Sequence, residues 1–254
     1  MAHLGKIEVT QVKVFGKTHT GKRRESNQDA YLIINEKFYG LPNLFIIADG
    51  MGGHLAGEVA SNYAIKAFQN YIRDNDYPGE DLLDYLIDAT KYANLRVFKE
   101  SSKDKNYLGM GTTFTVLTIQ EGKGYMTHIG DSRIYIITDD EIKALTSDHS
   151  YVQEMLKLGR LTKEEAEEHP RKNILTRALG IQKDLEVDGY ITELTPGNKL
   201  LMCTDGLNNM ISDSVIKHTV LTNPLEQATD LLIDTANENG GIDNITLILL
   251  EYGR

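Results

Sequence analysis

The chain has 254 residues, 41% of them hydrophobic and 25% charged, with a formal net charge of −10; such a chain can bury a substantial core and has the balance of a globular protein. The negative charge argues against a nucleic-acid binder, which needs basic stripes, but not against phosphate chemistry, because metal ions can reverse the local field. With Cys203 as its single cysteine there is no intramolecular disulfide; the N-terminus lacks a signal-peptide core and no apolar run approaches the ~20 residues of a membrane helix, so a cytoplasmic monomer with no membrane segment is expected.

Short segments rich in Ile, Val, Leu, Tyr and Thr predict strands at 11–15, 30–34 and 43–48. Two helical stripes follow, Val59/Tyr63/Ala67/Phe68/Tyr71/Ile72 and Leu82/Leu86/Ala89/Ala93/Val97. Further strands are expected at 112–119, 124–130, 133–138, 142–145, 187–193 and 199–204, with QEGKG (120–124) and TDDE (138–141) as hairpin turns. Residues 148–180 are charged and only weakly apolar, with short helical pieces, and read as an exposed insertion that could be a mobile flap beside a site. A last helix begins at Asn223 as N-cap with Pro224 in the first turn. It carries an apolar face of Leu225/Ala228/Leu231/Leu232/Thr235, ends at Gly240-Gly241, and precedes a strand at 244–250. No repeat or linker divides the chain, so 1–254 is expected to be one domain. The pattern is that of an α+β fold in which two mainly antiparallel sheets pack face to face with helices outside.

Acids punctuate the strand ends. FIIADG places Asp49 after a strand, MTHIGDSR places Asp131, KLLMCTDGL places Asp205, GGIDNITLILL places Asp243 before one, and SNQDAYLII does the same with Asp29. Taken singly, each Asp beside Gly reads as a turn residue. Together, on strands converging at one sheet edge, they would repel one another without cations. An all-oxygen set with almost no Cys or His suits hard divalent ions, Mg²⁺ or Mn²⁺, and Gly50 leaves a carbonyl free as one more oxygen. Two such ions can activate water and clamp a phosphoryl group, which gives the outline of phosphate-ester hydrolysis. Arg24, in RRESNQD, is either the phosphate fork of that site or a solvated arginine among KRRE. Other phosphate and hydrolase chemistries lack their residues. Asn209 stands where a Cys203-based phosphatase needs arginine, and Met51 stands where an aspartyl-phosphate enzyme needs its second acid. No EF-hand loop, complete Walker motif or serine-hydrolase elbow is present.

In chain order, GKRRESNQD (21–29), ADGMGGHLAGEVAS (48–61), GMGTT (109–113), HIGDSRIY (128–135), LTSDHS (145–150), GRLTKEEAEEHPRKNILTRALG (159–180), CTDGL (203–207) and GGIDNIT (240–246) resemble the metal-dependent Ser/Thr protein phosphatases of type 2C in their bacterial form. The resemblance implies an α/β/β/α sandwich and hydrolysis of phosphoserine or phosphothreonine in proteins by a metal-activated bridging hydroxide at a binuclear Mn²⁺ or Mg²⁺ centre. Asp49 would bridge both ions, with the Gly50 carbonyl on one, and Asp205 and Asp243 completing the other. Asp131, with Asp205, would hold the third ion common in bacterial members. Asp29 would orient metal-bound water, Arg24 would grip the substrate phosphate, and the 148–180 insertion would be the family's flap. The implied partners are phosphorylated proteins, including a Ser/Thr kinase and its substrates. Met51 departs from eukaryotic members, which have a histidine there, and a thioether cannot donate a proton; His54 reads as a loop-orienting residue. The alternatives are a catalytically weak phosphoprotein-binding member and a small-molecule phosphate hydrolase.

Overall fold

The computed structural model describes residues 12–53 and 55–253, so the readings of residue 11 and His54 lie outside the described residues. In chain order the elements are β1 (Val12–His19), β2 (Asp29–Ile34), β3 (Leu44–Met51), α1 (Ala56–Asn75), α2 (Leu82–Ser101), β4 (Gly111–Thr112), β5 (Phe114–Gln120), β6 (Lys123–Ile129), β7 (Arg133–Ile137) and β8 (Ile142–Ala144). They continue with α3 (Tyr151–Lys157), α4 (Lys163–Glu167), β9 (Asp188–Glu193), β10 (Lys199–Cys203), α5 (Asp205–Asn208), α6 (Asp213–Thr222), α7 (Leu225–Glu238) and β11 (Ile245–Tyr252). One sheet runs β1-β11-β10-β7-β8 and the other β2-β3-β5-β6-β9 with β4 beside β3. Every strand pairing among the described residues is antiparallel.

The alternation of β3 explains the layers. Leu44, Ile46 and Ala48 pack with Phe68 of α1 and Leu86 of α2, whereas Phe45 and Ile47 pack with Met202, Ile248 and Leu250 of the opposite sheet. A third apolar layer joins Leu201, Leu247 and Leu249 to Leu232 and Ile233 of α7. These layers make the expected α/β/β/α sandwich. Because strand side chains alternate with period two, Asp49 lies on the same face as Phe45 and Ile47, between the sheets.

Several boundaries differ from the sequence reading. The expected strand 112–119 is broken into β4 and β5 because Thr113 leaves the ladder to bond Asp49: its N–H donates to the Asp49 carbonyl at 2.8 Å, and its hydroxyl accepts from the Asp49 N–H at 2.8 Å. Helix α1 buries Ala67, Phe68 and Ile72 of the expected stripe, but Ala60 and Ala64 rather than Val59, Tyr63 and Tyr71, which are only partly covered; small residues let the helix sit close on β3. The final helix is capped at Pro224, not Asn223. Asn223 instead ends α6, with its amide donating to the Thr219 carbonyl. Leu231 on α7 is exposed, and Thr229 and Ile233 take its place on the buried face. Helix α6 itself was not expected, since only Ile216 and Val220 are buried along it, too short a stripe to read. Both hairpins form as expected: Glu121 and Gly122 turn with positive φ between β5 and β6, and Thr138 N–H bonds Glu141 between β7 and β8. The 148–180 insertion holds α3 and α4 as its short helical pieces, with Ala166 buried.

Candidate metal centre

Asp29 and Asp49 face each other directly in the β2–β3 ladder. Like charges in that position destabilise an antiparallel pair unless something neutralises them. At the same end of the sandwich, Asp205 follows β10 by two residues, Asp243 precedes β11 by two, and Asp131 sits in the β6–β7 turn. Asp49, Gly50, Asp131, Asp205, Asp243 and Arg24 line one cavity of about 560 Å³.

The acids carry the signature of crowded burial. Burial pushes Asp29 up to about 7, with Asp205 and Asp243 adding to the rise, and Asp131 up to about 8, with Asp205 and Asp148 adding. Burial holds Asp49 well above the carboxylate range, reinforced by Asp29, Asp205, Asp131 and Asp243. Asp205 rises to about 6, chiefly through burial and then Asp243; Asp49 close beside it and Arg24 pull the other way.

Arg24 is not merely solvated: its Nη2 donates to Asp243 Oδ2 at 2.6 Å. That hydrogen bond favours the charged guanidinium, and about half of the side chain stays open to solvent at the cavity rim. Asn244 fixes the loop that carries it. Its amide donates to the carbonyls of Thr20 and Ser26 at 2.8 and 2.9 Å, and its Oδ1 accepts from Gln28 N–H at 2.8 Å.

The donors test whether a divalent cation fits here. Oδ1 of Asp29 and Oδ1 of Asp205 are buried without a hydrogen-bond partner, and buried acceptors in that condition call for a cation or water. All the donors are oxygens, the set preferred by Mg²⁺ and Mn²⁺. Among the described residues no three His, Cys, Asp or Glu side chains are grouped closely enough to hold a metal ion as they stand; the fit lies in donor chemistry and charge. Gly50 is built for its place, since a Cβ there would stand 2.1 Å from the Gly57 carbonyl. Gly57 is required in turn, because a Cβ on it would come within 2.7 Å of the Gly50 carbonyl.

The supporting residues were not singled out from sequence. Thr112 and Thr113 hold the Asp49 backbone, and Thr113 shares a hydrogen bond with Ser132 beside Asp131. The Thr204 hydroxyl donates to Asp29 Oδ2 at 2.9 Å. The base of the insertion is tied to the Asp131 turn: His149 N–H donates to the Gly130 carbonyl, and Gly130 N–H donates to His149 Nδ1. His149 Nε2 stands 3.1 Å from Asp188, which also accepts from Arg177 at 2.6 Å. Most of them belong to the GMGTT, HIGDSRIY, LTSDHS, TRALG and CTDGL segments, and Asp188 belongs to none of those quoted.

A family model described as protein phosphatase 2C matches residues 15–242. The protein phosphatase PhpP of Streptococcus pneumoniae is 40% identical over 235 residues, covering 92% of this chain and 94% of that protein. The structure of the S. agalactiae serine/threonine phosphatase superposes with a TM-score of 0.89 at 35% identity, covering 96% of this chain and all of that one. The catalytic domain of the serine threonine protein phosphatase PstP, solved in complex with two manganese ions, superposes with a TM-score of 0.83 at 32% identity, covering 96% of this chain and 99% of that domain.

Proposed function

The chain belongs to the protein phosphatase 2C family, and from that premise we propose that it hydrolyses phosphoserine and phosphothreonine in proteins at a Mn²⁺ or Mg²⁺ centre, reversing the action of a Ser/Thr kinase. The observation that carries this reading is the convergence of Asp29, Asp49, Asp131, Asp205 and Asp243 at one end of the sandwich with Arg24 on the rim. A phosphate dianion would be repelled from five carboxylates, so the site suits phosphate only with cations between.

Asp49, the Gly50 carbonyl, Asp205 and Asp243 would hold two ions, and Asp131 with Asp205 a third. When bound, the ions would supply an activated water and offset charge on the phosphoryl oxygens. Asp29, held by the Thr204 hydroxyl and facing Asp49 across the ladder, would orient water at the centre. Arg24, aimed by Asp243, presents its remaining guanidinium N–H groups to the substrate phosphate. Met51 lines the same cavity but has no proton to give a leaving group.

The test is phosphopeptide hydrolysis by purified protein with Mn²⁺, with a chelator, and with Asp205→Ala. Turnover that needs Mn²⁺ and falls at least a hundredfold in the variant is expected. Mn²⁺-loaded protein that leaves phosphopeptides intact while cleaving metabolite phosphates would overturn the protein-substrate reading.

A further inference from the structure

The cavity that the acids line is also lined by Met51, by Ala178 at the end of the insertion, and by Ile181 and Leu185 just after it. Met51 stands opposite Gly111 in the β3–β4 pair. A Cβ at Gly111 would come within 2.8 Å of both the Met51 Cε and the Ile181 Cδ1. The two side chains therefore fold together over a residue that has none.

This shelf is fixed rather than loose. Leu179 exchanges two backbone hydrogen bonds with Thr112, at 3.0 and 2.9 Å. Asn94, buried on α2, accepts from Gly180 N–H and donates to the carbonyls of Gln182 and Lys183. Leu185 packs on the core beneath, while Ile181 stays 40% exposed. An exposed, backbone-anchored apolar surface inside an otherwise polar cavity is a specificity feature in search of an apolar group. The nearby Arg177 is already paired with Asp188 and Glu186, so it does not turn the wall into an acid-binding one.

We propose that the Met51–Ile181 shelf receives an apolar side chain of the substrate, one or two positions from the phosphoresidue, and so selects among phosphoproteins. The assignment rests on the phosphatase reading above and adds to it the class of neighbouring residue. Met51 is two strand residues beyond Asp49, about 7 Å along the chain. That puts the shelf within reach of the nearest neighbours of a phosphoresidue whose phosphate sits at the carboxylates.

The experiment compares two phosphothreonine peptides with Leu or near-isosteric Asn at the two positions on each side. With native protein and Mn²⁺, kcat/KM for the Leu peptide should exceed that for the Asn peptide about fivefold, the worth of half-burying one leucine. Ile181→Asn should bring that ratio close to one. Ile191→Asn, on the exposed face of β9, should leave it as in the native protein and controls for a general surface effect. A native ratio near one, or one that Ile181→Asn does not change, overturns the shelf while leaving the phosphatase reading intact. Failure to turn over either peptide overturns the phosphatase reading and this assignment with it.

Discussion

Replacing Asp29 by Asn should make the metal-free protein more stable at alkaline pH. Asp29 is 7% exposed and faces Asp49 across the ladder, and its pKa rises from 3.8 to about 7. A carboxyl raised in the folded state binds its proton more tightly there than in the unfolded chain. Its contribution is therefore intact below about pH 4 and is lost as pH climbs through 7. At 1.36 kcal/mol per pH unit, those roughly three units correspond to about 4 kcal/mol as a ceiling at pH 8. Asparagine keeps an oxygen for the Thr204 hydroxyl but brings an amide beside Asp49, so a net gain of about 1–3 kcal/mol is reasonable. For a chain of this size that raises Tm by roughly 3–10 °C. Thermal unfolding in chelator at pH 8 and pH 5 measures it: the gain should shrink by more than half at pH 5, where Asp29 is already protonated in the fold. Saturating Mn²⁺ should narrow it at pH 8, because the cation relieves the same repulsion. A Tm that falls at pH 8, or an equal gain at both pH values, would refute the argument that this pair is held together against its charge.

Asn244→Ala removes three hydrogen bonds that hold residues 20–28 in place. It should lower Tm by roughly 5–12 °C, from about 2–4 kcal/mol for orphaned backbone groups, and cut phosphopeptide kcat/KM at least tenfold by releasing Arg24. Unchanged kinetics would show that Arg24 is positioned by Asp243 alone. Gly206→Ala puts a Cβ 1.9 Å from the Asn244 carbonyl and should cost about 3 kcal/mol, the top of the overpacking range. Gly53→Ala, with nothing within 4 Å, should stay within about 0.5 kcal/mol in the same denaturant titration.

The acids were legible because each interrupts a strand pattern with a charge and a turn residue, a local signal. What surrounds them was not. Thr112, Thr113, Thr204 and Thr246 read as ordinary strand formers, and only the folded register shows the Thr112 and Thr113 hydroxyls bonded to the Asp49 backbone, the Thr204 hydroxyl donating to Asp29, and the Thr246 N–H donating to Thr204 in turn. Asn244 acts on backbone 216 to 224 residues away in the chain, a distance no pattern along the chain conveys. Met51 was readable as a missing proton donor, but its partnership with Ile181 depends on a strand pairing of two residues. Helix α6 escaped because its stripe is two residues long, and the cap at Pro224 because Asn223 is equally suited to closing one helix and opening the next.

The insertion is joined to the body at two clasps. Ser150 and Leu175 bridge each other at its neck, and the chain on either side is bonded to Gly130 and Thr112. Everything from 151 to 174 is thus a closed loop hung from a collar, and lengthening such a loop twofold costs only about 0.6 kcal/mol in closure entropy. The five clustered carboxylates all lie outside that loop. A lineage could exchange this canopy for one of another length or charge, changing which proteins gain entry, without rebuilding the carboxylates below.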